Sequence, residues 1–519
     1  MSSIVGRPAI CMGRNMKNVL EYLEQTVRTY PEKIAVRDDK NSCTYYELEQ
    51  RAKEIGTYLS KVTKRGRPIA VFMEKSVETL QAFLGIVYSG GFYTLIDPEF
   101  PAQRIEQILD ILKPEAVITN IENIIKIREI GYTKCIVDIS EIGQETDSDK
   151  LNGIRAASID TAPLYCNFTS GSTGTPKGVL VCHRSVIDFI DNFTEIFNIT
   201  EQDVIGNQAP FDFDVSVKDI YSCLKTGASL VIIPKSFFMF PKKVIDMLED
   251  NRVTTLIWAV SALCLVNRLH GLQYKIPAHI NKILFSGEMM PVNQLNEWRE
   301  YYKEALFVNL YGPTEITCNC TYHMIDRRYS PQEKIPIGKA FPNELVFLLD
   351  ENDNEIPDTA PYKSGEICVA GTALALGYYN NRTMTEKSFI CNPVNKSYPE
   401  IIYRTGDLAY YGENGELYFA GRKDFQIKHM GHRIELEEIE TALLSIPMVF
   451  QTCCFFDEEK KKLVAYYAGD VDKRQIIDEM KQKVPVYMIP NTFVQTEVFP
   501  ITRNGKTDRN AIRKLYEKR

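Results

Sequence analysis

Short β-branched runs alternate with helical patterns along the first half of this 519-residue chain. Apolar residues recur at helical spacing in segments 46–61, 76–89 and 101–112, and strand-like runs at 68–72 and 116–119 lie between them. Strands that alternate with helices in this way form largely parallel sheets with helices packed on their faces. The pattern therefore predicts an α/β fold.

Changes in element spacing predict the domain organisation. A second alternating set runs over residues 180–310, and over 335–420 the predicted strands become shorter while Gly and Pro become frequent. We therefore predict a large N-terminal domain over residues 1–420, with two α/β sheet-and-helix subdomains and a β-rich subdomain. A charged segment follows, with helix and strand patterns of its own, and we assign residues 421–519 to a small α+β C-terminal domain.

Composition excludes several classes of protein. The chain carries 61 basic and 68 acidic residues, a net charge of −7, which is unlike a protein that coats nucleic acid. No run reaches the roughly 18 apolar residues that cross a bilayer, and the N-terminus lacks the apolar core of a secretory signal. We therefore expect a cytoplasmic protein that neither enters a membrane nor binds nucleic acid, with 13 cysteines present as reduced thiols.

The segment 168–178, FTSGSTGTPKG, has the composition of a phosphate-binding loop. Its glycines let backbone N–H groups approach a polyanion, its hydroxyl groups are further donors, and Lys177 adds a positive charge. A flexible Gly/Ser linker is the alternative, but a linker would not place Pro-Lys-Gly between apolar segments. The loop is not the G-x-x-x-x-G-K-[ST] type, because Gly178 follows Lys177.

This loop resembles the phosphate loop of the acyl-adenylate-forming superfamily, which includes nonribosomal peptide synthetase adenylation domains, D-alanine–carrier-protein ligases, acyl-CoA synthetases and luciferases. Other segments resemble further motifs of that family and occur in the family's order. They are residues 44–48 (TYYEL), 89–98 (SGGFYTLIDP), 211–217 (FDFDVSV), 309–315 (NLYGPTE), 365–371 (GEICVAG) with 377–378 (GY), 403–407 (YRTGD), 421–428 (GRKDFQIK) with 431–435 (GHRIE), and 504–509 (NGKTDR).

The resemblance implies an ATP site. Glu315 would be the Mg²⁺ ligand, since Mg²⁺ usually takes one or two carboxylates together with phosphate oxygens. Tyr311 would stack on adenine, and Asp407 would hold the ribose hydroxyls. The other positions that the resemblance assigns to ATP or AMP are Thr169, Ser170, Gly171, Thr173, Lys177, Gly287, Glu288, Asn309, Gly312, Thr314 and Arg422.

Two positions near the C-terminus would serve the reaction itself. Lys506 corresponds to the family's catalytic lysine, which bridges the substrate carboxylate and the α-phosphate and stabilises the charge that develops there. Asp424 corresponds to the family's hinge, about which the C-terminal domain rotates between the adenylating and thioester-forming states. The resemblance therefore implies that this domain is mobile.

Asp214 indicates the class of carboxylic acid. In adenylation domains and D-alanyl ligases this Asp pairs with the substrate's α-ammonium, whereas a fatty acid offers no ammonium and an unpaired buried carboxylate is costly. The alternative is that Asp214 caps a helix. Alignment of the motifs suggests further pocket walls, namely Val215, Lys218, Trp258, Leu284, Ser286, Leu310, Cys318 and Asn319.

These walls favour a small or modest polar amino acid. Lys218 would suit an acidic side chain if it pointed into the pocket and would carry no information if it pointed outward. D-alanine is a contender, because several segments resemble the D-alanyl ligases, although Ser286 stands where that branch has Cys. The amino acid and its stereochemistry therefore stay open.

We predict an ATP- and Mg²⁺-dependent ligase that adenylates an amino acid and transfers it to the phosphopantetheine thiol of a carrier protein. The chain ends ten residues after its last motif, so we expect the acyl or peptidyl carrier protein to act in trans. The alternative is an acyl- or aryl-CoA ligase, which Asp214 disfavours. An ATP-binding protein without catalysis is disfavoured by the presence of Lys506, Glu315 and Asp407, and an aminoacyl-tRNA synthetase by the lack of its signatures.

Overall fold

The computed structural model describes residues 16–171, 175–423, 426–496, 499–500 and 507–517. No helix within these ranges is both long enough and apolar enough to cross a membrane. The cysteines in these ranges are free thiols, and most of them are buried.

The helices occur in both the N-terminal and the C-terminal part of the described chain. They are α1 (Leu20–Thr29), α2 (Tyr45–Val62), α3 (Val77–Tyr88), α4 (Ala102–Leu112), α5 (Ile121–Glu129), α6 (Ser148–Ala156), α7 (His183–Ile196), α8 (Val215–Thr226), α9 (Pro241–Asp250), α10 (Val260–Arg268), α11 (Gly271–Tyr274), α12 (Val292–Tyr301), α13 (Arg382–Ser388), α14 (Leu436–Leu444), α15 (Lys473–Met480) and α16 (Arg509–Glu517).

The strands alternate with these helices at first and then follow one another more closely. They are β1 (Ile34–Arg37), β2 (Ser42–Thr44), β3 (Pro68–Phe72), β4 (Phe92–Leu95), β5 (Ala116–Thr119), β6 (Cys135–Asp138), β7 (Pro163–Thr169), β8 (Lys177–Cys182), β9 (Val204–Asn207), β10 (Ser229–Ile232), β11 (Thr255–Ala259), β12 (Lys282–Ser286), β13 (Leu306–Tyr311), β14 (Thr321–Met324), β15 (Lys339–Ala340), β16 (Glu344–Leu349), β17 (Glu355–Ile356), β18 (Gly365–Gly371), β19 (Gly377–Tyr378), β20 (Phe389–Cys391), β21 (Ile401–Tyr411), β22 (Leu417–Arg422), β23 (Gln426–His429), β24 (His432–Glu435), β25 (Val449–Asp457), β26 (Lys462–Gly469) and β27 (Thr492–Gln495).

Two largely parallel sheets form the frame of the N-terminal part. The seven-stranded sheet has the order β19-β8-β7-β4-β3-β5-β6, with β8 and β19 antiparallel at one edge. The nine-stranded sheet has the order β15-β14-β13-β12-β11-β9-β10-β1-β2 and is parallel from β13 to β1. The largest hydrophobic core draws on both sheets and on α1, α2, α3, α7 and α8, so these helices lie between the sheets.

Helices α2 and α3 show how the sequence determines this packing. Thr44 and Glu47 form a capping box at the start of α2, which satisfies two backbone N–H groups that the helix leaves open. Gly56 and Gly85 then let the two helices approach closely. A Cβ on Gly85 would lie 2.4 Å from Cγ2 of Ile55, so a larger residue there would force the helices apart.

The remaining sheets are mainly antiparallel. A six-stranded sheet has the order β17-β16-β18-β21-β20, with β22 paired to β21. In the C-terminal part, β23 and β24 form a two-stranded hairpin, and β25, β26 and β27 form a sheet whose core includes α14 and α15. We call the pair β23–β24 the C-terminal hairpin.

The predicted α/β fold class is confirmed. The strands, however, are divided between the two large sheets differently from their order along the chain. The early strands β1 and β2 join the second sheet, where β1 pairs with β10 in parallel. The late strand β19 joins the first sheet by pairing with β8. Alternation along the chain indicates parallel strands, but it does not indicate which distant strands become neighbours.

Candidate active site

The phosphate loop connects the antiparallel strands β7 and β8, and Thr169 pairs with Lys177 where the loop begins and ends. Ser170 is buried, with 4% of its surface exposed. A Cβ on Gly171 would lie 2.0 Å from the carbonyl oxygen of Thr175, so the loop requires glycine at this position. Thr173 lies outside the described residues.

Glu315 lies in the short turn Thr314–Ile316 after β13, and its side chain is fully buried. The hydroxyl of Tyr378 donates to its Oε1 at 2.7 Å, and Nη1 of Arg433 lies 2.9 and 2.7 Å from its two carboxylate oxygens. Burial alone would raise the pKa of Glu315, but the charge of Arg433 and the bond from Tyr378 outweigh it and lower the pKa to about 2. Glu315 is therefore an ionised carboxylate held by a cation from the C-terminal hairpin.

The C-terminal part also contacts the phosphate loop. Glu435 of the hairpin lies 3.3 Å from Nζ of Lys177, and the backbone N–H of Gly171 donates to Glu438 of α14 at 3.1 Å. Ser170 donates to the carbonyl of Arg433 at 2.7 Å. In this arrangement carboxylates take the donors predicted for phosphate oxygens, and a guanidinium stands at the carboxylate predicted for Mg²⁺.

Glu438 is tied to the N-terminal part by a second contact. Its other carboxylate oxygen lies 2.8 Å from Nη1 of Arg104 on α4, and both side chains are at most 5% exposed. A buried ion pair of this kind holds two elements in register, because separating it leaves charge without a partner. The described structure therefore has the C-terminal part docked on the phosphate loop.

Tyr311, Asp407 and Arg422 form a second cluster of predicted nucleotide-binding residues. The hydroxyl of Tyr311 on β13 donates to Oδ2 of Asp407 at 2.6 Å, and Arg422 pairs with Oδ1 of the same carboxylate. Asp407 is 2% exposed. The structure thus brings together Tyr311, predicted for adenine, Asp407, predicted for ribose, and Arg422, predicted for the nucleotide, although they contact one another here.

The other predicted nucleotide residues surround this group. Asn309 is buried and donates to the carbonyl of Pro336 at 2.7 Å. A Cβ on Gly312 would lie 2.5 Å from Cα of Asn319, so the backbone there is too close for a side chain. Gly287 has a φ of +98°, and Glu288 beside it accepts from the backbone N–H of Gly431 in the hairpin at 3.2 Å.

Asp214 is buried immediately before α8, and its side chain makes no capping hydrogen bond. The capping alternative is therefore not supported. Burial raises the pKa of Asp214, while a hydrogen bond from Thr314 and the charges of Lys218 and Lys428 oppose the shift. The carboxylate lies close to the phosphate region and has the features of a site for a cation.

Lys218 follows Asp214 by one helical turn, so both side chains project from the same side of α8. Its surface is fully buried. Its ammonium donates to Oδ1 of Asn319 at 2.7 Å and lies 3.5 Å from Oγ of Ser286. The thiol of Cys318 donates to the carbonyl of Asp214, so four of the predicted pocket positions converge with Asp214.

Leu284 and Leu310 belong to the same core as Cys318, whereas Trp258 does not. Trp258 pairs in register with Phe285, and successive side chains of a strand point to opposite faces of the sheet. Its indole therefore packs in the second core and donates to the carbonyl of Gly206 at 2.7 Å. The prediction of Trp258 as a pocket wall is wrong.

Ala259 takes the place of Trp258 in this group, because it pairs in register with Ser286. It also lies under the hairpin, since a Cβ on Gly431 would be 3.3 Å from the Cβ of Ala259. The alternation of side chains along β11 could have indicated this position. Val215 begins α8 beside Asp214 and is half-buried.

Four residues near the site had no individual role in the sequence interpretation. Arg433, Glu435 and Glu438 make the contacts described above, and Lys428 of β23 places its Nζ 5.6 Å from the centre of the Tyr311 ring. Burial lowers the pKa of Lys428, whereas Asp407 and Asp214 raise it. The GRKDFQIK and GHRIE segments contain Lys428, Arg433 and Glu435 but not Glu438, and no spacing in the sequence relates any of the four to Glu315.

The residues present fit a magnesium ion that arrives with phosphates. Among the described residues no cluster of three or more His, Cys, Asp or Glu side chains could hold a metal by itself. Mg²⁺ commonly uses one or two carboxylates and completes its shell with water and phosphate oxygens. Glu315 is a suitable carboxylate, because it is ionised and lies beside the phosphate loop.

Comparison with protein families gives two matches. The family model described as AMP-binding enzyme matches residues 23–379, and the model described as AMP-binding enzyme C-terminal domain matches residues 438–506. The first range holds the phosphate loop, Asp214 and Glu315, and the second begins at Glu438, whereas Asp407, Arg422, Lys428, Arg433 and Glu435 lie between the two ranges.

Similar curated proteins are peptide and related synthases. The chain is 31% identical over 506 residues to zwittermicin A synthase ZmaJ of Bacillus cereus, covering 94% of this chain and 93% of that protein. It is 31% identical over 503 residues to surfactin synthase subunit 1 of Bacillus subtilis (strain 168), covering 96% of this chain and 14% of that protein. It is also 31% identical over 504 residues to tyrocidine synthase 1 of Brevibacillus parabrevis, covering 96% of this chain and 45% of that protein. The chain thus spans less than half of the last two.

Solved structures share the fold. Holo-PA1221, an NRPS protein containing adenylation and PCP domains, superposes with a TM-score of 0.81 at 25% identity and covers 96% of this chain and 84% of that chain. The Vibrio cholerae adenylation domain AlmE, in complex with glycyl-adenosine-5′-phosphate, gives a TM-score of 0.82 at 20% identity and covers 99% and 100%. This likeness confirms the predicted fold class, with its large N-terminal domain and smaller C-terminal domain.

Proposed function

We propose that this chain, which belongs to the AMP-binding enzyme family, joins an amino acid to AMP and then transfers it to the phosphopantetheine thiol of a carrier protein. Membership makes the chain an adenylate-forming ligase. The observation that carries the amino-acid assignment is the buried carboxylate of Asp214, which lacks a capping bond and lies beside Thr314. An α-ammonium placed against it would supply the charge that a buried carboxylate requires.

In the first half-reaction a carboxylate oxygen of the amino acid attacks the α-phosphorus of MgATP. The bond from that phosphorus to the bridging oxygen would break, and pyrophosphate would leave. Thr169, Ser170 and Lys177, with the N–H of Gly171, would hold the departing phosphates. Glu315 would bind the Mg²⁺ that accompanies ATP and screens its charge.

The remaining residues would orient the nucleotide. Asp407 and Arg422 would bind the ribose, and Tyr311 would lie against the adenine. Lys506 would stabilise the charge that develops at the α-phosphate. Lys506 and the hinge position Asp424 lie outside the described residues, so both roles stay predictions from the sequence.

The docked C-terminal part supports a two-state cycle. MgATP could not take its predicted place while Glu435 and Glu438 hold the phosphate loop and Arg433 holds Glu315. We propose that the C-terminal domain withdraws to admit MgATP and returns after pyrophosphate has left. In the second half-reaction the carrier thiol would attack the acyl carbon, and AMP would leave.

A carrier protein is the proposed acceptor because relatives of this chain are parts of peptide synthases. Holo-PA1221, which is similar in fold, contains an adenylation and a PCP domain. We propose that an acyl or peptidyl carrier protein supplies the thiol in trans. Its phosphopantetheine arm would have to reach the acyl carbon beside Asp214.

The test is ATP–pyrophosphate exchange with a panel of L- and D-amino acids and of simple carboxylic acids. We expect exchange with one or a few amino acids. Asp214→Asn should lower kcat/KM at least about a hundredfold, because it removes one partner of a buried charge pair. Asp160→Asn, at an exposed ion pair with Arg184, is the matched control and should leave exchange unchanged. Exchange with simple acids but with no amino acid would contradict the assignment.

A further inference from the structure

We infer that the enzyme selects an amino acid whose side chain carries a carboxylate, and that Lys218 binds this carboxylate. The inference rests on the proposed function, in which Asp214 binds the α-ammonium of the substrate. It adds that Lys218 binds the substrate's side chain. The arrangement behind it is a buried ammonium with two neutral hydrogen-bond partners inside that pocket.

The charge of Lys218 has no carboxylate hydrogen-bonded to it in the part of the chain that the structure describes. Its partners are the side-chain oxygens of Asn319 and Ser286, which are both neutral. Among the partly buried lysines, Lys225 pairs with Asp191 and Lys282 with Asp203, at 2.7 and 2.8 Å, whereas Lys75 donates to neutral oxygens of Asn207 and Gln208. A fully buried ammonium is costly without such a partner, and a substrate carboxylate would provide it.

Asp214 and Asp219 are the acidic residues nearest to Lys218 along the chain, but neither serves as its direct counter-ion. Asp214 is the proposed partner of the α-ammonium. Asp219 accepts a hydrogen bond from Asn207, and burial raises its pKa to about 7, so much of it is protonated near neutral pH. Both charges act on Lys218 from a distance, and neither replaces a bound counter-ion.

The neighbours of Lys218 complete a site for an anionic group. Asn319 offers its Oδ1 to Lys218, which leaves the amide nitrogen as a donor. The Ser286 hydroxyl can also donate while it accepts from Lys218. Three donors around one point can satisfy a carboxylate, whereas a neutral alkyl side chain would leave them unpaired.

The apolar walls indicate what connects the two charged ends. Leu284 and Leu310 are buried in the same core as Cys318, and Ala259 lies in register with Ser286. Methylene groups would pack against these side chains, between an α-ammonium at Asp214 and a carboxylate at Lys218. Aspartate, glutamate and their longer homologues have this chemistry.

The experiment compares acids with their amides, which have nearly the same shape. Exchange is measured on the full-length chain with L- and D-glutamate, glutamine, aspartate, asparagine and alanine. We expect the best acid to exceed its amide at least about a hundredfold in kcat/KM, because an amide leaves the ammonium without its counter-ion. Lys218→Met should lower that acid-to-amide ratio by at least about a hundredfold.

Lys225→Met is the control, since Lys225 lies two turns further along α8 and pairs with Asp191. It should keep the acid-to-amide ratio of the unmodified chain. The ratio is independent of how much protein is folded, so a loss of stability in Lys218→Met would not imitate the expected result. A melting curve records that loss separately.

Each of the other possible results would contradict a different part of the proposal. If alanine or an amide supported exchange as well as the best acid did, the preference for an acidic substrate would be refuted, but amino-acid adenylation would still stand. Acid preference that persists in Lys218→Met would refute the assignment of Lys218. No exchange with any amino acid would instead contradict the proposed function.

Discussion

Replacing Arg433 by Met should increase the affinity of the enzyme for MgATP. Arg433 holds both oxygens of Glu315, at 2.9 and 2.7 Å, in the place proposed for magnesium. In the docked arrangement this bond must break before MgATP can bind. A methionine retains most of the side-chain volume but cannot form the bond.

The size of the effect follows from the pKa of Glu315. Its surroundings lower that pKa from 4.5 to about 2. Burial raises the pKa, and the positive charge of Arg433 is the largest of the influences that lower it. At about 1.4 kcal/mol for each unit, the ionised carboxylate is favoured by about 3 kcal/mol. Because the pKa of an acid is depressed, this stabilisation is complete above pH 4.5 and is lost as the pH falls towards 2. At neutral pH this corresponds to a gain in affinity on the order of a hundredfold.

Calorimetric titration with a non-hydrolysable MgATP analogue measures the change directly. Arg184→Met, which removes an exposed ion pair with Asp160, is the control and should bind like the unmodified chain. A thermal melt without nucleotide checks that both variants fold. Unchanged or weaker binding by Arg433→Met would refute the reasoning, because it would mean that the docked arrangement does not oppose MgATP.

Predictions for three further variants concern the capping of α2 and the pocket wall. Thr44→Ala removes the capping box of α2 and should lower the free energy of unfolding in urea by about 1 kcal/mol, with unchanged exchange activity. Trp258→Phe removes a buried hydrogen bond to Gly206 and should lower stability by about 1–3 kcal/mol, while the relative exchange rates among amino acids stay the same. Ala259→Leu should alter those relative rates in favour of shorter side chains, and the opposite pattern for these two variants would contradict the placement of the pocket wall.

The sequence predicted those features that depend on local pattern. Helical and strand periodicity indicated α2, α3 and the strands around them. Periodicity could not show that β1 joins the second sheet beside β10, because strand pairing depends on contacts between distant segments. Alternation along β11 places Trp258 and Ala259 on opposite faces of the sheet, but only the register of β11 with β12 shows that Ala259 is the one beside Ser286.

The site shows the same limit. The motif resemblance predicted Tyr311, Asp407 and Arg422 as one group, and their side chains do meet. The sequence left the direction of Lys218 open, because only the packing of α8 against the Ser286 and Asn319 segments determines it. The bond between Arg433 and Glu315 joins residues 118 positions apart, and neither residue alone indicates the other.

The contacts of Arg433, Glu435 and Glu438 have a consequence for how nucleotide affinity is measured. Together they act as a tethered ligand, whose effective concentration at the phosphate loop is set by the chain and not by the solution. The apparent dissociation constant of MgATP then equals the intrinsic constant divided by the fraction of molecules whose loop is free. The same tether would fill the loop as soon as pyrophosphate departs. Rebinding of pyrophosphate would then be opposed, and the first half-reaction would be harder to reverse.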